Sequence, residues 1–313
     1  MTTSDNHRGI INMSVGMSFF IGNDALAKLA SESLPGPQVI FIRGLFASLL
    51  MIVVCVALGA FRRNAQTAEL PLRQLLNPRL LARASLDAIG TVVYLTALFR
   101  MPLGNATAIN MATPLFITVM AVFAFKEQVG LARWLAIIAG FAGVLLIVQP
   151  TAAGYADGNS AWALLCLGGA VLLSVRDLMT RMISRSISSL LVTLSAVLAI
   201  PLLAGVIVAV HGWQPVTLRQ LALLAGAGAL LSCGFFLLVR ALRAGEMSVV
   251  SPFRYTGLLY ALLLGWLVWG DVPNLMAIVG IALLVAAGLY MLMSQRANTP
   301  ATAPASVPDA ATD

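Results

Sequence analysis

The sequence predicts an all-α integral membrane protein of ten transmembrane helices, built as two inverted five-helix repeats. Three observations carry this. The chain of 313 residues is 60% hydrophobic and 10% charged, with a mean hydropathy of +0.94, whereas soluble domains are roughly 45–50% apolar and about 25% charged. Apolar runs long enough to span a bilayer, about 20 residues each, recur ten times. At an offset of 144 residues, 97–146 reads over 241–290 without a gap: Ala97-Leu98 falls on Ala241-Leu242, Leu115 on Leu259, Glu127 on Asp271 and Leu145 on Leu289. Few residues are identical, but the profile of apolar helix, polar turn, apolar helix ending in an acid, and apolar helix repeats, as in membrane proteins built from two related halves.

Taken in order, the helices fall at about 9–30, 36–59, 80–100, 104–125, 131–149, 160–182, 188–210, 218–241, 247–270 and 274–294. Pro35-Gly36-Pro37 ends the first helix because proline cannot continue it. Arg62 to Arg79 is a polar loop, and Pro102-Leu103-Gly104 is a tight turn. The resulting organisation is a cytoplasmic N-terminal segment (1–8), a first repeat (9–150), a linker rich in Gly and Ala (151–159), a second repeat (160–296) and a disordered cytoplasmic tail (297–313) whose Pro, Ala and Thr offer too little apolar surface to fold. Ala25-Leu26-Ala27 resembles a signal-peptidase site, but the run before it is too long and carries Asn12, Asn23 and Asp24.

Loop charge sets the orientation. With the N-terminus inside, the inner segments hold Arg8, Arg62, Arg63, Arg73, Arg79, Arg83, Lys126, Arg133, Arg181, Arg185, Arg240, Arg243 and Arg296, against only Lys28, Arg100 and Arg219 outside. Both termini are therefore expected in the cytoplasm. Five helices is an odd number, so the second repeat runs inverted. A net charge of +7 distributed in this way fits loops facing anionic lipid rather than nucleic acid. A fainter echo at an offset of 153 sets Asn23-Asp24 and Lys28 over Arg176-Asp177 and Arg181, an acid and a base four apart on one helix face in each half.

Phe41-Ile42-Arg43-Gly44 in the second helix, Ala97-Leu98 closing the third, Pro114 within the fourth and Lys126-Glu127 at its end resemble the EamA-like family of the drug/metabolite transporter superfamily, over about 9–294. The resemblance implies a carrier of the bacterial inner membrane, often an exporter of amino acids or other metabolites. It also implies a cavity lined by the first, third and fourth helices of each half. The second half departs from the pattern, with Leu258 where Pro114 maps and Ala196 where Arg43 maps.

Charges within a bilayer are costly and usually face a cavity or a partner. Asp24 and Arg43 lie at matched depths, so they can pair, either as a substrate or proton site gated by competition with Lys28 or as a structural salt bridge. Arg254, which the repeat superposes on Asn110, is expected to face a central cavity with it and to meet an anionic group of the substrate. Tyr94 and Tyr255 offer hydrogen bonds or an aromatic wall, or act as core and interface residues. Arg176 and Asp177 form an inner gate with Arg254, or Arg176 snorkels to the interface. Asn23 and Lys28 complete the gating or coupling set. Glu127 and Asp271 read as structural acids at helix ends. Cys55, Cys166 and Cys233 read as packing residues, since no CxxC or neighbouring His supports a metal or disulfide site. No cofactor is expected, and no nucleotide-binding motif of the GxxxxGK[ST] type supplies ATP. His7 and His211 lack partners for nucleophilic chemistry. Gly140 and Gly143 permit close helix approach without forming GxxxG, which leaves a homodimer open. The expected function is secondary transport, by export or exchange, of a small polar metabolite, with a carboxylate-bearing molecule such as an amino acid favoured. The alternative is a non-transporting assembly or lipid-handling protein.

Overall fold

The computed structural model describes residues 3–59, 74–126, 130–149, 159–183, 187–244 and 250–297, and among these every regular element is helical. The helices are α1 (Thr3–Ser31), α2 (Gly36–Ala57), α3 (Pro78–Leu98), α4 (Leu103–Asn110), α5 (Thr113–Phe125), α6 (Leu131–Val148), α7 (Asn159–Met182), α8 (Ser189–His211), α9 (Leu218–Ala244), a 3₁₀ turn (Ser251–Tyr255), α10 (Thr256–Trp269) and α11 (Leu275–Ala297). Among the described residues eight stretches are long and apolar enough to cross a membrane, α4 and α5 counting as one of them, and Leu275–Met291 is a shorter apolar helix. Most of the 62–79 loop, Glu127, the 151–158 linker, Arg185 and the tail from residue 298 lie outside the described residues.

Local sequence places the ends. Pro35 precedes α2, and Asn77 caps α3 by accepting from the Arg79 N–H at 3.0 Å, with Pro78 in its first turn. Ser188 caps α8 by accepting from the Leu191 N–H, and Gly270 closes α10 at φ +69°. Two expected spans are interrupted. The fourth breaks between α4 and α5, where Pro114 lies in the first turn of α5, and the ninth starts as a 3₁₀ turn opened by Pro252. The 144-residue offset carries Asn110 onto Arg254 and Ala112 onto Thr256, so the two breaks are equivalent in the repeat. Each is closed by a threonine hydroxyl donating three residues back, Thr113 to the Asn110 carbonyl (2.6 Å) and Thr256 to the Phe253 carbonyl (2.7 Å).

The two repeats interdigitate instead of folding as separate bundles. The most extensive packing runs between halves: α1 on α9, α6 on α11, α3 on α7, α2 on α8, α3 on α8 and α2 on α9. Each such contact has its repeat equivalent or is its own equivalent, which is the signature of a two-fold arrangement. Glycines show it at atomic scale. A Cβ on Gly234 of α9 would lie 3.3 Å from the Gly16 carbonyl of α1, and one on Gly169 of α7 would lie 3.0 Å from the Tyr94 nitrogen of α3. The offsets that relate the halves carry Gly16 onto Gly169 and Gly90 onto Gly234, so the same close crossing is built twice. At the bundle edge Gly143 of α6 meets Gly280 of α11, where a Cβ on Gly143 would stand 2.6 Å from the Gly280 carbonyl.

The broken spans also distribute unevenly along the bundle. The first segment of the fourth, α4, packs on α10, whereas α5 turns to α7 and the 3₁₀ turn leans on α1. Outward faces are apolar and exposed, with Leu49, Val53, Leu202, Val206, Leu259 and Leu263 among them, as expected where lipid is the solvent. Cys55 and Cys166 are buried, as a packing role requires, but Cys233 is exposed on α9.

Candidate functional site

Polar residues inside the bundle collect at three levels. The first joins α1, α2 and α3. Asn23 and Arg43 are buried (1% and 3% exposed), and the Asp24 side chain keeps 16% of its surface open. Each of Asp24 and Arg43 lies seven residues from the end of its helix nearest Pro35, roughly 10 Å deep at 1.5 Å per residue. The Arg43 Nη1 donates to Asn23 Oδ1 (2.9 Å) and stands 3.9 Å from Asp24 Oδ1. Asn23 Nδ2 donates to Asp24 Oδ1 (2.9 Å), and the Tyr94 hydroxyl donates to Asp24 Oδ2 (3.3 Å). The carboxylate thus holds two neutral donors and one cation, and the pairing of Asp24 with Arg43 is direct. Among the described residues Arg43 Nε has no hydrogen-bond partner. Next to Arg43, α2 packs closely on α8: a Cβ on Gly44 would lie 3.0 Å from the Cβ of Pro201.

The second level lies at the end of the bundle where α1 stops. Lys28, one turn beyond Asp24, donates to the Met101 carbonyl and lies 5.0 Å from the Trp269 ring centroid. Trp269 Nε1 in turn donates to Glu32 Oε1 at 2.6 Å. This fastens α1 of the first half to α10 of the second. Gln38 and the Gln214 backbone add a reciprocal pair of hydrogen bonds at the same end (2.7 and 3.0 Å).

The third level lies toward the opposite end and joins α3 to α7 and α8. Arg176 bonds Asp87 (2.6 Å) and Asp177 (2.7 Å), and Asp87 also pairs with Arg83 at 3.5 Å. Arg83 donates onward to Thr180 Oγ1 (3.0 Å) and the Val192 carbonyl (3.2 Å). Two arginines share one buried acid, each with further acceptors, which is the arrangement that makes buried charge tolerable.

The sequence-predicted residues divide accordingly. Asn23, Asp24, Arg43 and Tyr94 come together. Lys28 works at the second level, and Arg176 and Asp177 at the third. Arg176 is engaged by Asp87, with no contact to Arg254 recorded among the described residues, so a gate between Arg176 and Arg254 is not what this conformation holds. Nor does Arg176 snorkel free. Asn110 ends α4, half-buried, and Arg254 is exposed in the 3₁₀ turn, with no ion pair or side-chain hydrogen bond among the described residues. No hydrogen bond joins these two side chains among the described residues. Tyr255 is buried against α11, where Gly288 leaves room for its hydroxyl. Asp87, Glu32 and Trp269 were not singled out from the sequence, and Arg83, counted there with the loop charges, is buried within α3. A signal was present for two of them: Arg83 and Asp87 stand four apart in an apolar span. No three His, Cys, Asp or Glu side chains gather as a metal site among the described residues.

Comparison with known proteins gives a consistent picture. The model of the EamA-like transporter family matches residues 7–149 and again 160–294. A riboflavin transporter of Vibrio cholerae is 30% identical over 87% of this chain and 88% of its own length. An S-adenosylmethionine uptake transporter of Rickettsia bellii is 26% identical (90% and 95%), and a pseudopaline exporter of Pseudomonas aeruginosa 27% identical (87% and 92%). One crystal structure superposes with a TM-score of 0.61 at 17% identity, covering 96% of this chain and all of that one, a likeness of fold.

Proposed function

The chain belongs to the EamA-like transporter family, as a multi-pass membrane transporter of small molecules and not an enzyme, and from that premise we propose that it is a secondary carrier whose central site is the cluster of Asn23, Asp24, Arg43 and Tyr94. The observation that carries this reading is the partly open Asp24 carboxylate, held by neutral donors on two sides beside an arginine whose Nε is unpartnered. Protonation of Asp24 weakens its hold on Arg43. The guanidinium, already short of one acceptor, then takes a carboxylate of the substrate, so proton and substrate occupancy are linked. A carboxylate-bearing metabolite such as an amino acid fits that exchange, by export or in exchange for a second solute. Exposed Arg254, which the repeat superposes on Asn110 and which precedes Tyr255 in the chain, is a further anion contact along the route.

The levels at either end act as latches. Lys28, Glu32 and Trp269 close one end and Asp87 with Arg176 and Arg83 the other, and each bridges the two repeats. Opening both at once would strand several buried charges, so the latches release in turn, which is alternating access. The paired breaks near Pro114 and Pro252 supply the bending points. In this reading ten crossings form two inverted halves in a bacterial inner membrane, both termini are cytoplasmic, and the Lys28 latch faces outward.

The test is a thermal-shift screen of the purified protein against carboxylate-bearing metabolites, followed by counterflow of each stabilising compound in proteoliposomes. Asp24→Asn and Tyr94→Phe are expected to cut counterflow at least tenfold while the protein remains folded. Counterflow at wild-type rates in Asp24→Asn, or stabilisation only by compounds without a carboxylate, overturns the proposal.

A further inference from the structure

The face of α1 that carries Lys28 and Asp24 continues inward through Ile21, Met17 and Met13, residues three or four apart that stack on one side of a helix. Met13, Met17 and Ile21 are buried. At Met17 this face meets both helix breaks at once. A Cβ on Gly257, the second residue of α10, would lie 2.7 Å from the Met17 Cε, 3.4 Å from the Met111 Cε and 3.7 Å from the Ile21 Cγ1. Met111 is where α4 gives way to α5, and Gly257 follows directly on the 3₁₀ turn. The side chain that Gly257 lacks is therefore the space on which two thioether methyls close, one from α1 and one from the first break, against the start of α10.

The position of this junction is what gives it meaning. Met17 precedes the end of α1 at Ser31 by 14 residues, and Gly257 precedes the end of α10 at Trp269 by 12. At 1.5 Å per residue these are depths of roughly 21 and 18 Å from the end where Lys28 meets Trp269, near the middle of a hydrocarbon core about 30 Å thick. On the side of that end, seven residues along α1, stands the partly open Asp24. Cys166 lies on the same side: its Sγ donates to the Ala106 carbonyl (3.7 Å), five residues before Met111 in the chain. Toward the opposite end stands exposed Arg254, three residues before Gly257.

We infer that Met17 and Met111 form a gate between the Asp24 site and the end of the bundle that carries Arg254. Methionine is unbranched, with three rotatable bonds and a polarisable thioether, so its end can swing aside without any charge pair being broken. An apolar constriction excludes water while it is closed, and bending at either break carries Met111 or Gly257 away and opens it. The gate thus acts at mid-membrane, between the Asp24 cluster and the charged latch formed by Asp87, Arg176 and Arg83. The inference rests on the reading of the Asp24 cluster as the central site, but its test requires no substrate.

The experiment uses the native thiol beyond the gate. The chain has three cysteines, Cys55, Cys166 and Cys233, so Cys55→Ala with Cys233→Ala leaves Cys166 as the reporter. Arg254→Cys in a chain lacking all three is the control on the near side. Sealed membrane vesicles of each orientation are treated with 2-sulfonatoethyl methanethiosulfonate, which does not cross the bilayer. The thiolate attacks its sulfenyl sulfur, forming a mixed disulfide and releasing methanesulfinate, and mass spectrometry follows the rate. The face from which Arg254→Cys is labelled defines the near side. From that face Cys166 should react slowly behind the native methionines and at least tenfold faster with Met17→Ala and Met111→Ala together. Met17→Leu with Met111→Leu, which keeps the bulk, should stay within about threefold of the native pair, and labelling at Arg254→Cys should not change. Thermal unfolding checks that each variant is folded, and Met111→Ala alone, at a half-buried position, should accelerate Cys166 in the same sense if the double variant does not fold. Equal labelling of Cys166 in the alanine and native proteins overturns the gate, and so does equal acceleration from both faces or by the leucine pair. Wild-type counterflow in Asp24→Asn would remove the central site whatever the labelling shows, so the two failures are distinguishable.

Discussion

Removing both partners of the Asp24–Arg43 pair should cost less than the sum of removing each alone. Breaking a buried ion pair costs about 3–5 kcal/mol because the remaining charge loses its compensation. Here the geometry argues for the lower end, since the pair stands 3.9 Å apart and each member keeps other contacts. With Asp24→Asn, Arg43 retains only the neutral oxygen of Asn23 at 2.9 Å and still lacks a partner on Nε, for a loss of about 3 kcal/mol. With Arg43→Gln, the carboxylate retains donors from Asn23 and Tyr94 and part of its surface is open, for a loss of about 2 kcal/mol. The double variant buries no lone charge and should lose about 3 kcal/mol in place of the summed 5, a coupling of about 2 kcal/mol. Equilibrium unfolding of the four proteins in mixed micelles, followed by circular dichroism, measures all the terms. Additive losses within about 0.5 kcal/mol would show that the two residues do not share a field and would refute the electrostatic reading of the cluster.

Three further outcomes are expected. The pair Asp87→Asn and Arg176→Gln should behave likewise at the other end, each destabilising by about 3 kcal/mol with a less than additive double, and normal stability of Asp87→Asn would remove the latch. Gly143→Ala, whose Cβ would press to 2.6 Å on the Gly280 carbonyl, should destabilise by about 1–3 kcal/mol, whereas Gly130→Ala, with nothing within 4 Å, should be near neutral in the same unfolding assay. Reporter fusions after Gly154 and after Arg296 should give an outside and an inside signal respectively, and a shared side would remove the five-plus-five topology.

Much of this protein was legible in its sequence because a bilayer leaves few choices. Backbone groups in lipid must bond internally, so apolar runs of this length are helices, and hydropathy with punctuation by Pro35, Pro37 and Pro102 fixed where most of them start and stop. The repeat was visible as well, since equivalent packing demands equivalent small and apolar residues, and the gapless offset placed Asn110 over Arg254 at what became a matched pair of helix breaks. Asp24 and Arg43 could be paired by depth alone, because both are charges that must find company in the same layer. The tertiary structure decided what depth and periodicity do not encode, namely the rotation of each helix and its neighbour across the repeat interface. Only the crossing of α3 on α7 brings Asp87 to Arg176, only the approach of α10 to α1 sets Trp269 over Lys28, and only the meeting of α1 with the α4–α5 break and α10 brings Met17 and Met111, 94 residues apart in the chain, to Gly257. Those contacts lie between halves, where the partner of a residue is set by the packing of glycines such as Gly16 and Gly169 and not by spacing along the chain.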